Sequence, residues 1–121
     1  MNSIINEIKY NEKNLVPTIV QNYSTGDILM FAFSNQESLE KTIFTNYAHF
    51  WSRSRKKLWK KGEESGNVLK IKNIYIDCDK DCILFTTIPD GPTCHTKKIS
   101  CFHTDIDEKV SQKPLIRSEE H

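Results

Sequence analysis

The sequence predicts a mainly β protein with little helix, and three observations lead there. Short apolar runs rich in β-branched and aromatic residues recur between turn signals. Only one stretch pairs helical spacing of apolar residues with a capping pattern. The chain has 121 residues, enough for a single domain with a modest core.

Residues 1–14 are polar and carry little pattern, so they read as a loose arm or a short helix. Leu15 to Tyr23 is the first strand. Ser24-Thr25-Gly26-Asp27 is a turn, and Ile28 to Phe33 is a second strand, so the two form a hairpin with a four-residue loop. The second run is apolar at every position, which predicts a central strand buried on both faces. A helix follows, with Ser34 as N-cap and Glu37 completing a capping box. Leu39 and Ile43 share one face with Phe44 beside them, and Asn46 ends the helix. Tyr47 to Ser52 returns to strand chemistry. Val68 to Ile76 is a strand whose alternation slips, Leu69 and Ile71 giving way to Ile74 and Ile76, which predicts a bulge near Lys72-Asn73. Asp77 to Asp81 ends that strand or forms the turn after it. Cys82 to Ile88 is the last strand, and Pro89-Asp90-Gly91-Pro92 forces a loop that delivers Thr93-Cys94-His95. Beyond Phe102 the tail is polar and reads as weakly ordered. The division is therefore an arm at 1–14, a domain at 15–104 and a tail at 105–121.

Hydrophobic residues make up 37% and charged residues 27%, a globular balance. A net charge of +1 argues against an extended nucleic-acid footprint. No apolar run approaches the roughly 18 residues of a membrane span, and the N-terminus lacks a signal-peptide core. The expectation is a cytoplasmic protein with no membrane partner. In that setting four cysteines point to metal binding or catalysis rather than disulfides. Their C-x3-C-x11-C-x6-C spacing is not that of a zinc ribbon.

The segment Asp77-Cys78-Asp79-Lys80-Asp81 interleaves carboxylates with a thiol. Carboxylates suit Mg²⁺ or Ca²⁺ and thiolates suit Zn²⁺, so two metals side by side are suggested. An extended chain would line Asp77, Asp79 and Asp81 on one face with Cys78 on the other. A solvated turn is the plain alternative. An EF-hand is excluded, because its sixth and twelfth positions would be Cys82 and Ile88. Cys82 opens an apolar strand and reads as a small buried hydrophobe. Cys78, Cys94 and Cys101 sit in polar sequence. Three thiolates with one open position is a catalytic zinc arrangement, and scattered structural cysteines remain the alternative. His95 beside Cys94 is a candidate general acid/base or a surface loop residue. His49 and His103 have no such context. Six of the nine residues from Arg53 to Lys61 are cationic. That run reads as a solvated loop, a nucleic-acid patch with Trp59 stacking on a base, or a pocket for a phosphorylated small molecule. Backbone N–H groups of Gly62-Glu63-Glu64-Ser65-Gly66 would serve the same phosphates.

Taken together, these stretches resemble phosphoribosyl-AMP cyclohydrolase. The matching text is Leu15-Val16-Pro17 with Ile19-Val20-Gln21, Gly26 with Ile28-Leu29-Met30, and Ser52-Arg53-Ser54-Arg55. It continues through Leu58-Trp59-Lys60-Lys61-Gly62-Glu63, Ser65-Gly66, Asp77-Cys78-Asp79 with Asp81, Gly91-Pro92-Thr93-Cys94-His95-Thr96 and Ser100-Cys101-Phe102. The resemblance implies a small barrel-like domain, a homodimer with active sites shared between subunits, and hydrolytic opening of the purine ring of N1-(5-phosphoribosyl)-AMP. It also implies zinc on Cys78, Cys94 and Cys101 drawn from both subunits, and magnesium on Asp77, Asp79 and Asp81. Within that picture His95 shuttles a proton. Arg53, Arg55 and Lys60 meet phosphate, and Trp59, Glu63, Ser65 and Gly66 line the substrate pocket, with Trp59 leaning toward bracing the loop.

Three departures stand out. Asn67 follows Ser-Gly where many members have His. Cys82 replaces a small or apolar residue. Lys97-Lys98-Ile99 replaces a segment that often carries Gly. Only 19 residues follow Phe102, too few for the pyrophosphohydrolase domain of bifunctional relatives, so the expectation is the cyclohydrolase step alone. The rival readings are a non-enzymatic zinc module binding nucleic acid and a metal-stapled structural dimer.

Overall fold

The computed structural model describes residues 3–107 and 109. The polar tail expected beyond them lies outside the described residues. Six strands form one sheet: β1 (Val16–Asn22), β2 (Ile28–Ser34), β3 (His49–Ser52), β4 (Lys57–Lys60), β5 (Leu69–Ile76) and β6 (Ile83–Pro89). The single α-helix, α1, spans Gln36–Thr45. The strand order is β4-β3-β2-β1-β6-β5. All neighbours run antiparallel except β1 and β6, which are parallel with Thr18 beside Ile83.

The sheet curls into a half-barrel. Its far strand bonds back toward the other edge: Ala48 N–H donates to Leu69 O at 2.9 Å and Ile71 N–H to Asn46 O at 2.9 Å. The concave side carries the core. Val16, Val20, Leu29, Phe50, Leu69 and Phe85 are fully buried there. Phe50 packs on Phe85 with ring centroids 5.8 Å apart and on Trp59 at 5.3 Å. The bulge falls where the alternation slips, between Ile71 and Asn73.

Three expectations are corrected. The second strand is interior to the sheet yet not buried on both faces, because Phe31 is 47% exposed. It pairs with Ile19, which pairs with Leu84, which pairs with Tyr75, itself 54% exposed. An apolar row thus crosses four strands on the convex face. The helix starts one residue later than predicted, with Asn35 as N-cap. Asn35 Oδ1 accepts from Ser38 N–H at 2.8 Å and Ser38 Oγ accepts from Asn35 N–H at 2.9 Å. Ser34 is instead the last residue of β2, its hydroxyl bonded to that of Thr18 at 2.7 Å. A buried sheet contact outcompeted the cap. The helix buries Ser38, Leu39 and Thr42, while Ile43 and Phe44 are exposed. Of the two readings of the N-terminal arm, the short helix holds: Ser3–Glu7 forms a 3-10 helix, and Ile5 and Ile8 are buried. Lys9 N–H bonds Lys80 O at 2.7 Å and Lys80 Nζ pairs with Glu7, tying the arm to the turn between β5 and β6.

Candidate metal centre

The acidic segment is a tight turn rather than a strand. Asp77 N–H donates to Cys82 O at 3.0 Å, Lys80 N–H to Asp77 O at 3.0 Å, and Lys80 takes a left-handed φ of 62°. Asp77 Oδ1 accepts from Asp81 N–H at 3.0 Å and Cys82 N–H at 3.2 Å. The turn, not strand alternation, gathers Asp77, Asp79 and Asp81. Their ligand oxygens lie within 4.8 Å of one another, and all three residues are exposed. Local desolvation pushes the Asp81 carboxyl up, and a hydrogen bond and the charge from Asp77, with the Asp79 charge, push the same way. Carboxylates gathered this closely repel one another, and a divalent cation would relieve that repulsion.

The second donor set lies on the loop after β6. Cys94 is buried, not in open polar loop as the sequence implied. Cys94 N–H donates to Lys98 O at 3.1 Å, and Cys101 N–H to Leu29 O at 2.8 Å. Ser100 Oγ donates to Ile28 O at 2.7 Å. The loop thereby docks on the start of β2, a stretch that β3 does not reach, since β2 and β3 pair only at Phe33 and Trp51. Burial pushes the Cys94 thiol up, but hydrogen bonds from Thr96, His103 and Cys101 outweigh it and hold it at about 6. Thr96 Oγ1 donates to Cys94 Sγ at 3.1 Å. Desolvation and the neighbouring Cys94 charge push Cys101 up to about 11, against a lowering by Lys61. A thiolate at one position beside a thiol at the other is a donor pair suited to zinc. His103, which the sequence left without a role, joins this cluster: its Nε2 is 3.8 Å from Cys94 Sγ. The signal that would have found it is its place two residues after Cys101.

The two donor sets do not meet within the chain. Cys78 sits in the acidic turn, beyond the end of the sheet where Thr18 faces Ile83. Cys101 is bonded to Leu29, at the end where Ile28 faces Gln21. Two strand spacings alone, about 10 Å, part β6 from β2, and the sites also lie at opposite strand ends. Among the described residues the Asp trio is the one group of three such donors held this close. Cys82 is half-buried, and burial with the charges of Asp77 and Asp81 pushes its thiol up.

The remaining candidates divide. Arg53 lies over the Phe33 ring at 4.2 Å, and Arg55 is exposed. Trp59 is half-buried against Phe50, and Lys60 Nζ lies 4.7 Å from the Tyr47 ring centroid. Glu63 Oε1 accepts from Lys60 N–H at 2.9 Å and so closes the turn after β4. Ser65 Oγ accepts from Asn67 N–H at 3.1 Å. Asn67 wedges against Gly91, where an added Cβ would meet Asn67 Oδ1 at 2.4 Å, joining the 62–67 loop to the loop that delivers Cys94. His95 is exposed.

The fold and its side chains define a small, mainly β protein whose curled sheet carries a carboxylate cluster at one end and a thiol cluster at the other. No helix among the described residues is long and apolar enough to cross a membrane. Comparison with known proteins narrows the class: the phosphoribosyl-AMP cyclohydrolase family model matches residues 30–103. A phosphoribosyl-AMP cyclohydrolase of Clostridium botulinum is 49% identical over 88% of this chain and 97% of its own length. One from Methanococcoides burtonii is 48% identical over 88% of both chains. A histidine biosynthesis bifunctional protein of Caldanaerobacter subterraneus is 50% identical, and the chain spans about half its length (52%). The chain belongs to the phosphoribosyl-AMP cyclohydrolase family.

Proposed function

We propose that this chain catalyses hydrolytic opening of the purine ring of N1-(5-phosphoribosyl)-AMP, adding water at C6 and breaking the N1–C6 bond, as a step of histidine biosynthesis in the cytoplasm. The observation that carries it is 49% identity to a protein named phosphoribosyl-AMP cyclohydrolase across 97% of that relative's length. The donor chemistry supports two ions. Asp77, Asp79 and Asp81 are hard ligands for magnesium, and Cys78, Cys94 and Cys101 are soft ligands for zinc. Zinc, when bound, lowers the pKa of water toward about 7 and so supplies a nucleophile at neutral pH.

The chain's own residues supply the rest. Cys94, already a thiolate near neutral pH, offers a ligand without proton release. His95, exposed next to Cys94, accepts the proton of the attacking water and returns it to the ring nitrogen. Arg53, Arg55 and Lys60 hold the substrate phosphates. Trp59 braces that loop from below through Phe50, while Glu63 and Ser65 hold the backbone of the following turn and Gly66 supplies its left-handed φ of 83°. A second copy completes the centre. Cys78 lies at the opposite end of the sheet from Cys94 and Cys101, so a twofold that inverts strand direction brings Cys78 of one chain toward Cys94 and Cys101 of the other. The row of exposed Phe31 and Tyr75 with half-buried Ile19 and Leu84 between them offers an apolar surface for that contact.

The test is an assay of ring opening on phosphoribosyl-AMP with zinc- and magnesium-replete protein. Turnover is expected, and its absence overturns the reading. A non-enzymatic nucleic-acid module would instead bind single strands with steep salt dependence.

A further inference from the structure

His103 has geometry that the proposed three-cysteine centre does not use. Its Nε2 lies 3.8 Å from Cys94 Sγ and 3.5 Å from Thr96 Oγ1, and its Nδ1 lies 3.4 Å from Thr104 Oγ1. Zinc takes sulfur at about 2.3 Å and imidazole nitrogen at about 2.0–2.1 Å, so tetrahedral co-ligands of this kind sit about 3.6 Å apart. The Cys94–His103 separation is already close to that value. Nε2 faces the Cys94 sulfur, and the tautomer with its proton on Nδ1, toward the Thr104 hydroxyl, offers a lone pair there to a cation. Cys101 is the other neighbour of Cys94 and shares a hydrogen bond with it.

We propose that Cys94, Cys101 and His103 form a soft-metal site within a single chain, able to take zinc without Cys78. The inference rests on the thiol cluster being where zinc binds, and it changes what the second copy contributes. Cys78 of a partner then occupies or borders a fourth position on an ion already held, rather than creating the site. The three donors do not all lie within 4.8 Å of one another, with Cys94 as the common neighbour. Residues 101–103 are exposed, so drawing His103 and Cys101 together disturbs no core packing.

The experiment uses the full chain, loaded with zinc alone or with cobalt(II) alone as a spectroscopic stand-in. Zinc affinity is read by chelator competition, and ligand type by the charge-transfer and d–d absorption of cobalt. The proteins are the unaltered chain, Cys78→Ser, Cys78→Ser with His103→Gln, Cys78→Ser with His103→Cys, and Cys78→Ser with Cys101→Ser. Cys78→Ser is expected to keep one zinc. Adding His103→Gln should weaken binding at least tenfold and shift the cobalt bands, while His103→Cys should restore affinity with stronger sulfur charge transfer. A merely structural role for His103 would not be rescued by cysteine. Unchanged affinity in the His103→Gln protein, with binding lost in the Cys101→Ser protein, overturns the inference and leaves the zinc reading standing. Full binding in the Cys101→Ser protein overturns the zinc reading itself.

Discussion

The acidic turn and the thiol loop stand at opposite ends of one sheet and are assembled by different physics. The carboxylates converge through five consecutive residues, Asp77 to Asp81, held by backbone bonds to Asp77. Their proximity needs nothing beyond a local hairpin. The thiols are spread over 24 residues, Cys78 to Cys101, and the fold sends them to both ends. Cys94 and Cys101 come together only because Ser100 and Cys101 dock on Ile28 and Leu29, some 70 residues away. The carboxylate cluster can therefore form with one hairpin, whereas the thiol cluster depends on tertiary structure.

The largest expected effect tests the second half of that contrast. Cys101→Ser should lose both zinc and turnover, activity falling at least 100-fold, while Cys82→Ser keeps both; equal loss from the two would reverse the ligand choice. Mixing is next. Cys78→Ser and Cys94→Ser chains are each expected to be inactive alone. After subunit exchange half the dimers are mixed and one of the two sites in each is intact, giving about a quarter of full activity. No recovery under verified exchange would put all three thiols to work within one chain. The acidic turn should respond more narrowly: Asp79→Asn should weaken magnesium binding about tenfold or more by calorimetry and leave zinc content unchanged. Loss of zinc as well would mean that the two ends are coupled. Smallest is Asn35→Ala at the helix cap, expected to cost about 1 kcal/mol in a denaturant melt with both metal affinities untouched, since α1 borders neither site.

Much of the sheet was legible because its signals are local. The bulge between Ile71 and Asn73 announces itself in the alternation, and Asn46 caps α1 with a left-handed φ of 68°. Choices between neighbours were not legible. Ser34 and Asn35 are both good N-caps, and what separates them is the Thr18 hydroxyl across the sheet. Phe31 reads as core from composition alone, yet it lies on the convex face because Ile19 opposite it does. The same holds at the site. The acidic ligands are visible as a motif, whereas His103 acquires meaning only when the loop from Thr93 to Ser100 turns it back on Cys94. Ile43 and Phe44 show the limit of periodicity, which identifies an apolar helix face without saying whether this chain covers it.

The parallel pairing of β1 with β6 has a consequence for how the protein is made. Thr18 meets Ile83, 65 positions further along the chain, in a sheet whose other pairings are hairpin-like or shorter in reach. At about 5–20 residues per second of synthesis, one edge of β1 stays bare for roughly 3–13 s after it leaves the ribosome. During that interval Val16, Val20 and Met30 have a hairpin but no roof, and an apolar strand edge is open to any other chain. High contact order slows the closing step further. The vulnerable moment in the life of this fold is therefore its birth, and chaperone dependence should track the arrival of β6 rather than the stability of the finished sheet.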